Sequence, residues 1–276
     1  MTIIASLLRD AQLPESPTAR LDAELLLAAA LGKNRSYLRT WPERIVTNEA
    51  AQAFAGFLQR RREGEPVAYI LGQQGFWSLD LEVAPHTLIP RPDTEVLVEA
   101  ALQVLPAAQA RVLDLGTGTG AIAWALARER QGWEVIAVDR IEEAVALAER
   151  NRQRLQLDNG RVLHSHWFEA LQAERFELIV SNPPYIASAD PHLAHGDVRF
   201  EPSSALVSGV DGLDDLRLII AQAPAHLVPG GWLLLEHGYD QAPRVRELLA
   251  QHGFEQIESR EDLGGHERIS LGRLPC

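Results

Sequence analysis

The four residues Asn182, Pro183, Pro184 and Tyr185 directly follow an apolar run at residues 176–181 that is typical of a buried strand. In an open parallel sheet, ligands bind beyond the carboxyl ends of the strands, so these side chains fall where chemistry is expected. The same residue types are also common in turns, and an inactive turn is the alternative interpretation. The run therefore becomes informative only together with other motifs in the chain.

The chemistry that this run could serve is substitution at a planar amide or aromatic amine nitrogen. Such a nitrogen is a weak nucleophile because its lone pair is delocalised. Acceptors that hold both N–H hydrogens orient it and stabilise the cationic transition state. Asn182 offers a side-chain oxygen for this purpose, Pro183 offers its backbone carbonyl, and Tyr185 offers a flat face against a planar group. No metal ion, histidine or thiol nucleophile is required.

A second motif occupies residues 114–120, which read Asp-Leu-Gly-Thr-Gly-Thr-Gly between a predicted strand and a predicted helix. Glycines allow the backbone to approach a ligand closely, and a helix N-terminus offers free N–H groups. The spacing is not that of a phosphate-binding P-loop, and the dinucleotide fingerprint fails because its third glycine would fall at Ala121. The carboxylate of Asp114 disfavours a pyrophosphate and suits a ligand with sulfonium and ammonium groups.

Two further side chains are candidates for holding the same ligand. Asp139 follows the next predicted strand, residues 134–138, where its carboxylate would accept hydrogen bonds from ribose hydroxyls. It could also cap the helix that begins near Ile141, and the two roles are compatible. Trp167 follows a third predicted strand at residues 161–164, and it lies either against an adenine edge or in the core.

Other groups of reactive side chains are weaker candidates. His192, His195 and Asp197 have metal-like spacing, but they lie in a predicted loop without a second pair of ligands, so we expect no metal site there. The serines within residues 203–208 lack the Gly-x-Ser-x-Gly context of a hydrolase nucleophile.

The pattern of elements predicts an α/β fold. Strand and helix patterns alternate from about residue 94 to residue 252, as in a parallel sheet covered on both faces by helices. Two strand-like runs near 254–259 and 267–272 predict an antiparallel edge. Before this region, residues 66–92 form a connection, and alternating polarity at 76–83 predicts a strand that is one arm of a hairpin.

Residues 1–65 are predicted to be helical. Ser16 and Pro17 are typical of a helix start, with serine as the N-cap, and a second helix is predicted to begin after Thr47. The three arginines at 60–62 are interpreted as the solvated end of that second helix.

The net charge of −12 argues against a protein that follows a nucleic-acid backbone, which normally needs a basic stripe. Residues 1–65 hold nine Lys/Arg against eight Asp/Glu, whereas the remaining residues hold 17 against 30. The single cysteine, Cys276, excludes an intramolecular disulfide and suits a reducing cytoplasm. No apolar run approaches the roughly 20 residues of a membrane span. We therefore expect a cytoplasmic protein without membrane contact.

Four motifs occur together in this chain. They are the run at 114–120, Ile-Pro-Arg-Pro-Asp-Thr-Glu at 89–95, Asn-Pro-Pro-Tyr at 182–185, and Gly-Asp-Val-Arg-Phe-Glu-Pro at 196–202. In this combination the chain resembles the bacterial peptide-chain-release-factor glutamine methyltransferases, the PrmC/HemK family, over essentially its whole length. Asn-Pro-Pro-Tyr is shared with DNA adenine methyltransferases, so the motif at 89–95 is the more discriminating one.

The resemblance implies a class I S-adenosylmethionine-dependent methyltransferase fold. This is a Rossmann-like sheet of seven mostly parallel strands with an antiparallel edge, together with a small helical N-terminal domain. The predicted divisions are a substrate-contacting domain at 1–65, a β-hairpin-like linker at 66–92 and the methyltransferase domain at 93–276. The cofactor would be S-adenosylmethionine, which leaves as S-adenosylhomocysteine, and no metal is expected.

The resemblance also implies roles for individual residues. The cofactor would be bound by Gly116, Thr117, Gly118, Thr119, Gly120, Asp139, Trp167 and Asn182. The catalytic residues would be Asn182, Pro183 and Tyr185, and Pro184 would complete the pocket for the target glutamine. His166 stands where the family often has an acid, and the sequence assigns no role to Arg91 or Glu201.

The implied reaction is N5-methylation of the glutamine in the Gly-Gly-Gln motif of class I release factors, which would be the protein partners. Two alternatives remain open from the sequence. One is methylation of a glutamine on a ribosomal protein, and the other is N6-adenine methylation of nucleic acid. The acidic charge of the chain and the lack of an extra basic segment disfavour a direct nucleic-acid substrate.

Overall fold

The computed structural model describes residues 2–276, which form two compact units. The first, here called the helical unit, contains the residues up to Gln73 together with His192–Phe200. The second, here called the sheet unit, contains Gln74–Pro191 and Glu201–Cys276. The chain therefore returns from the sheet unit to the helical unit once, for the short segment at residues 192–200.

Five helices build the helical unit and bury one apolar cluster. They are α1 (Ile4–Asp10), α2 (Ala19–Ala30), α3 (Arg35–Thr40), α4 (Asn48–Arg62) and α5 (Val67–Leu71). Leu26, Leu27 and Phe54 are each at most 1% exposed and lie within this cluster. Each helix is thus stabilised mainly by removing one apolar face from water, at roughly 25 cal/mol per Å².

The two predicted helix starts have different outcomes. The start after Thr47 is confirmed, because α4 follows directly and Thr47 Oγ1 accepts a hydrogen bond from the Ala50 N–H at 3.3 Å. The start at Ser16 is wrong, because α2 begins at Ala19. The hydroxyl of Ser16 donates instead to Asp22 Oδ2 at 2.7 Å, and this side-chain bond holds Ser16 outside the helix.

The arginine run at the end of α4 contains a buried ion-pair network. The side chain of Arg61 is 7% exposed, and its guanidinium contacts Asp22 Oδ2 at 2.7 Å and Asp197 Oδ1 at 2.8 Å. The prediction of a solvated helix end is therefore wrong for Arg61, because two carboxylates offset the desolvation of its charge. Arg62, the next residue, is exposed. Through Asp197, Arg61 ties the segment at 192–200 to the helices.

Nine strands and five helices follow. The strands are β1 (Gln73–Phe76), β2 (Leu79–Glu82), β3 (Ala110–Leu115), β4 (Trp133–Asp139), β5 (Gly160–His164), β6 (Phe176–Ser181), β7 (Leu227–Glu236), β8 (Glu255–Glu261) and β9 (Glu267–Arg273). The helices are α6 (Glu95–Val104), α7 (Ala121–Glu129), α8 (Glu142–Leu155), α9 (Asp214–His226) and α10 (Ala242–Gln251). Within residues 2–276, no helix has the length and apolar composition needed to cross a membrane.

Seven of these strands form one sheet in the order β5-β4-β3-β6-β7-β9-β8, and β1 and β2 form a separate hairpin. The first five strands in that order pair in parallel, whereas β9 runs antiparallel to both β7 and β8. This confirms the predicted α/β fold with seven mostly parallel strands and an antiparallel edge.

An apolar layer covers each face of the sheet, as the strand patterns predict. On β3, Val112 belongs to the layer that includes residues of α6 and α7, and Leu113 belongs to the layer that includes residues of α9 and α10. Val112 and Leu113 are both fully buried. Because the sheet is buried on both faces, its central strands are almost continuously apolar.

The predicted single strand at residues 76–83 is wrong in one respect. β1 ends at Phe76, Trp77 has φ 56°, and β2 begins at Leu79, so the run contains a turn. The alternation of polarity continues through the turn because the side chain of Trp77 packs against the apolar layer that includes residues of α6 and α7. The backbone N–H of Trp77 donates to Glu95 Oε1 at 2.7 Å, and this hydrogen bond stabilises the turn.

The register of the central strands sets the level at which their loops begin. Leu115, the last residue of β3, pairs with Ser181, the last residue of β6. Ser181 in turn pairs with Leu235, one residue before the end of β7. The segments that follow these strands therefore emerge side by side at one edge of the sheet.

The buried ion pair of Arg61 should contribute to the free energy of unfolding. Arg61→Ala leaves the carboxylate of Asp22 buried without its cation, so we expect the free energy of unfolding to fall by about 3 kcal/mol. Arg62→Ala removes an exposed neighbour in the same run and should change it by less than about 0.5 kcal/mol. Urea denaturation of both variants measures the two values. Equal stability of the two variants would contradict the buried network.

Candidate functional site

The segment after β3 is a glycine-rich loop that needs its glycines. Gly116, Gly118 and Gly120 all have positive φ, at 70°, 56° and 85°. A Cβ on Gly120 would lie 1.9 Å from the indole nitrogen of Trp124, and a Cβ on Gly116 would lie 3.3 Å from the ring of Trp167. Only glycine fits both the backbone conformation and the space at Gly120. The loop can therefore bring bare backbone close to a ligand.

Asp114 stabilises the glycine-rich loop through hydrogen bonds to its carboxyl group. Its carboxylate is fully buried, and Oδ2 accepts hydrogen bonds from Thr117 Oγ1 at 2.6 Å and from the Ala123 N–H at 3.2 Å. Oδ1 has no hydrogen-bond partner among the described residues. Burial raises the pKa of Asp114 to about 7. The carboxyl group thus joins the start of the loop to the first turn of α7.

Asp139, the last residue of β4, connects the glycine loop to the segment that leads into α8. Its Oδ2 accepts from the Gly118 N–H at 2.9 Å, and its Oδ1 accepts from the Ile141 N–H at 3.0 Å. Burial raises the pKa of Asp139, while these two N–H groups act in the opposite direction. Each oxygen retains a lone pair for a further donor. Among the described residues, no side chain caps α8 itself, so the predicted capping role of Asp139 is wrong, and its ligand role remains a prediction.

Trp167 lies just after β5 in a left-handed backbone conformation, with φ 48°. It is 7% exposed and packs within the apolar layer that includes residues of α9 and α10. It also lines the cleft described below. Its indole Nε1 has no hydrogen-bond partner among the described residues. The interpretation of Trp167 as a core residue is therefore confirmed, and its contact with a ligand remains a prediction.

Asn182 begins the segment after β6. Its side-chain amide donates from Nδ2 to Thr94 Oγ1 at 3.2 Å, which leaves the amide oxygen as the group available to a ligand. Tyr185 lies deeper, where its hydroxyl donates to Glu236 Oε1 at 3.2 Å. Burial, followed by the neighbouring Glu236, raises the pKa of Tyr185. The hydroxyl of Tyr185 therefore acts as a hydrogen-bond donor near neutral pH.

These elements surround one cleft of about 890 Å³ that is open to solvent. Of the predicted site residues, those that line it are 116–119, Asp139, Trp167, Asn182 and Pro184.

Three predicted site residues do not line the cleft. Gly120 begins α7 as its N-cap, Pro183 is buried, and Tyr185 is held at its hydroxyl by Glu236. Their predicted roles in catalysis and binding remain predictions. His166 does line the cleft, and its Nδ1 lies 3.3 Å from Glu169 Oε1.

Several residues of the site had no role in the sequence interpretation. Thr94 belongs to the motif at 89–95, and its hydrogen bond with Asn182 brings this motif into contact with the Asn-Pro-Pro-Tyr segment. Arg91 from the same motif lines the cleft and forms an ion pair with Glu201, whose side chain is fully buried. Glu236 is the last residue of the apolar strand β7 and belongs to no motif, so no signal in the sequence could have identified it.

Comparison with known proteins assigns the family. The PrmC N-terminal domain family matches residues 4–72, and the methyltransferase small domain family matches residues 93–200. The chain is 70% identical over 276 residues to the release factor glutamine methyltransferase of Pseudomonas aeruginosa, and both chains are covered completely. This chain belongs to the release factor glutamine methyltransferase family. The resemblance inferred from the motifs is thereby confirmed.

Solved structures share the fold of this family member. A methyltransferase from Pyrococcus furiosus has a TM-score of 0.57 at 18% identity and covers 80% of this chain and 100% of its own. The 16S rRNA N2 G1207 methyltransferase of T. thermophilus, in complex with AdoMet and guanosine, has a TM-score of 0.52 at 24% identity. It covers 73% of this chain and 49% of its own. At these identities, the similarity concerns the fold alone.

The buried carboxyl group of Asp114 should make the free energy of unfolding depend on pH. Because its pKa is raised to about 7, the folded chain keeps a proton that the unfolded chain releases from about pH 4 upward. The contribution of Asp114 to the free energy of unfolding is therefore full below about pH 4 and is lost as pH rises through about 7. Asp114→Asn does not titrate, so its stability relative to the wild type should increase over this range. Urea denaturation from about pH 4 to pH 8 measures this difference, and a constant difference would contradict the raised pKa.

Proposed function

We propose that this chain transfers the methyl group of S-adenosylmethionine to the N5 nitrogen of the glutamine in the Gly-Gly-Gln motif of class I peptide chain release factors. The proposal is supported by membership of the release factor glutamine methyltransferase family. The observation that carries it is the position of Asn182. Its amide lines the same cleft as the glycine loop, and Thr94 fixes which end of the amide is available.

The residues of the cleft fit S-adenosylmethionine. When bound, this cofactor supplies a methyl group that its sulfonium already activates. Residues 116–119 offer close backbone approach, and Asp139 offers acceptors for ribose hydroxyls. Trp167 offers a flat face and an indole N–H that has no partner among the described residues. A protein of this fold, the T. thermophilus methyltransferase, has been solved with AdoMet, which supports the same ligand class.

The chain's own part in the reaction is to hold the amide. The Asn182 oxygen would accept one N–H hydrogen of the target and the Pro183 carbonyl the other, and Pro184 would complete the glutamine pocket. Such acceptors become more favourable as positive charge develops on the nitrogen, so they stabilise the transition state more than the ground state. Tyr185, anchored by Glu236, would provide the wall against which the planar amide lies.

We propose further that the helical unit contacts the release factor, as the match to the PrmC N-terminal domain suggests. Trp41 and Ile45 of this unit are 43% and 60% exposed, so both apolar side chains are accessible to a protein partner. A cytoplasmic location, expected from the single cysteine, belongs to the same proposal.

Transfer of labelled methyl from S-adenosylmethionine tests this function. The purified chain is incubated with a class I release factor, with the same factor after replacement of its Gly-Gly-Gln glutamine, with ribosomal proteins, and with duplex DNA. We expect label on the intact release factor and none on the other three. Label on a ribosomal protein alone, or on DNA alone, would contradict the proposal and favour the corresponding alternative.

Asn182→Ala should lower kcat by at least about 100-fold, because it removes an acceptor that acts mainly in the transition state. Binding of S-adenosylmethionine, measured by isothermal titration calorimetry, should remain within about threefold, because the loop and Asp139 still hold the cofactor. Single-turnover methyl transfer measures the rate. Retained turnover in this variant would exclude the proposed role of Asn182.

The double variant Trp41→Ala, Ile45→Ala should raise KM for the release factor by about tenfold, as expected when exposed apolar side chains contribute to an interface. Its kcat and its affinity for S-adenosylmethionine should not change. Leu263→Ala, which removes a 91% exposed apolar side chain from the sheet unit, is the matched control. An unchanged KM in the double variant would place the contact elsewhere.

A further inference from the structure

Asn151 of α8 is a polar side chain that is completely buried. Its amide makes three hydrogen bonds to backbone groups. Oδ1 accepts from the Glu82 N–H at 2.8 Å, and Nδ2 donates to the Glu82 carbonyl at 3.0 Å and to the Thr119 carbonyl at 2.9 Å. Both hydrogens of Nδ2 are used, so these bonds fix the orientation of the amide. Because a buried amide is unfavourable unless such bonds offset the loss of water, its partners indicate its role.

Thr119 belongs to the glycine-rich loop and lines the cleft. The peptide group between Thr119 and Gly120 is held at both ends. Its carbonyl accepts from Asn151, and its N–H donates to the Thr117 carbonyl at 2.9 Å. Asp139 bonds to the middle of the same loop. Asn151 is thus the anchor at the end of the loop that leads into α7.

Glu82 connects the same amide to a second part of the cleft. It is the last residue of β2, and residues 86–88, which follow shortly after it, line the cleft. These residues lie close to the glycine-rich loop, since a Cβ on Gly118 would lie 3.9 Å from the Cβ of Thr87. One buried side chain therefore joins the glycine-rich loop to the strand that leads into this second segment.

The glycine-rich loop needs such anchors because of its conformation. Its three glycines all have positive φ, and glycine loses more backbone freedom than any other residue when it becomes ordered. A ligand that has to order the loop itself binds more weakly than one that meets an ordered loop. Asn151 is not among the residues that line the cleft, so it acts on a ligand only through the backbone groups that it holds.

We propose that Asn151 is a positioning residue for S-adenosylmethionine. By bonding to Thr119 and Glu82, it keeps the glycine-rich loop and residues 86–88 in the arrangement that receives the cofactor. The inference rests on the proposed function for the identity of this cofactor. It adds a residue of α8 to those on which the cleft depends, although Asn151 touches neither the cofactor nor the reacting atoms in this scheme.

Isothermal titration calorimetry with S-adenosylmethionine tests this role in two variants. Asn151→Ala removes all three hydrogen bonds. Asn151→Asp keeps the acceptor for the Glu82 N–H, but its carboxylate has no hydrogen to donate to the two carbonyls. We expect Kd to rise at least about tenfold in each variant, because the cofactor then has to order the loop. In methyl transfer, KM for S-adenosylmethionine should rise in parallel, whereas kcat should stay within about threefold of the wild-type value.

Asn159→Ala is the matched control for a merely structural role. Asn159 Nδ2 also donates to backbone carbonyls, at 3.1 Å to Ala127, 3.2 Å to Arg130 and 3.0 Å to Trp133. Trp133 begins β4, whereas Asp139, which lines the cleft, ends it. The control should therefore lose stability towards urea but keep Kd within about twofold of the wild-type value. Every variant is measured at a temperature at which circular dichroism shows it to be folded.

The wild-type chain offers a second measurement that does not depend on the folding of a variant. Binding of S-adenosylhomocysteine should shift the side-chain amide signal of Asn151 in the NMR spectrum, because this amide bonds directly to the loop. The corresponding signal of Asn159 should not shift.

Three results would overturn the inference. They are a Kd within about twofold of the wild-type value in both Asn151 variants, an equal rise of Kd in Asn159→Ala, and an Asn151 signal that does not shift. Failure of the wild-type chain to bind S-adenosylmethionine would instead contradict the proposed function, so the two failures are distinguishable.

Discussion

The parallel strands β3, β6 and β7 end at nearly the same level, and the rest of the site depends on this register. A shift of one residue would turn the side chains of a strand to the opposite face and would separate the loops that follow. With the observed pairing, the glycine loop, Asn182 and Glu236 emerge beside one another. Because both faces of the sheet are buried, a slip would move Leu113 from the layer that includes α9 and α10 to the layer that includes α6 and α7 and would disrupt the close packing of both.

Much of this architecture could be predicted from local patterns. The buried strand at 176–181 has the predicted bounds, since apolar composition and flanking turn residues determine it without help from distant parts of the chain. The glycines within residues 116–120 predicted that the backbone can approach a ligand closely. Gly120 has no space for a side chain. The motif at 114–120 and the Asn-Pro-Pro-Tyr run were recognisable because several chemically restrictive residue types occur in a fixed order.

The remaining features depend on partners that are distant in sequence. Arg61 looked like a solvated charge because its carboxylate partners, Asp22 and Asp197, lie 39 and 136 positions away. Glu236 is the last residue of an ordinary apolar strand, and only the fold shows that Tyr185 donates to it. The turn at Trp77 was hidden because its side chain packs like that of a strand residue. In each case tertiary contacts, which a local pattern does not contain, determine the outcome.

The most direct test of this account is a crystal structure of the chain with S-adenosylhomocysteine and a class I release factor. We expect the product cofactor in the cleft against residues 116–119. We also expect the glutamine side chain of the Gly-Gly-Gln motif beside Asn182, with its nitrogen within hydrogen-bond distance of the Asn182 amide oxygen. A glutamine bound away from Asn182, or a cofactor outside this cleft, would contradict it.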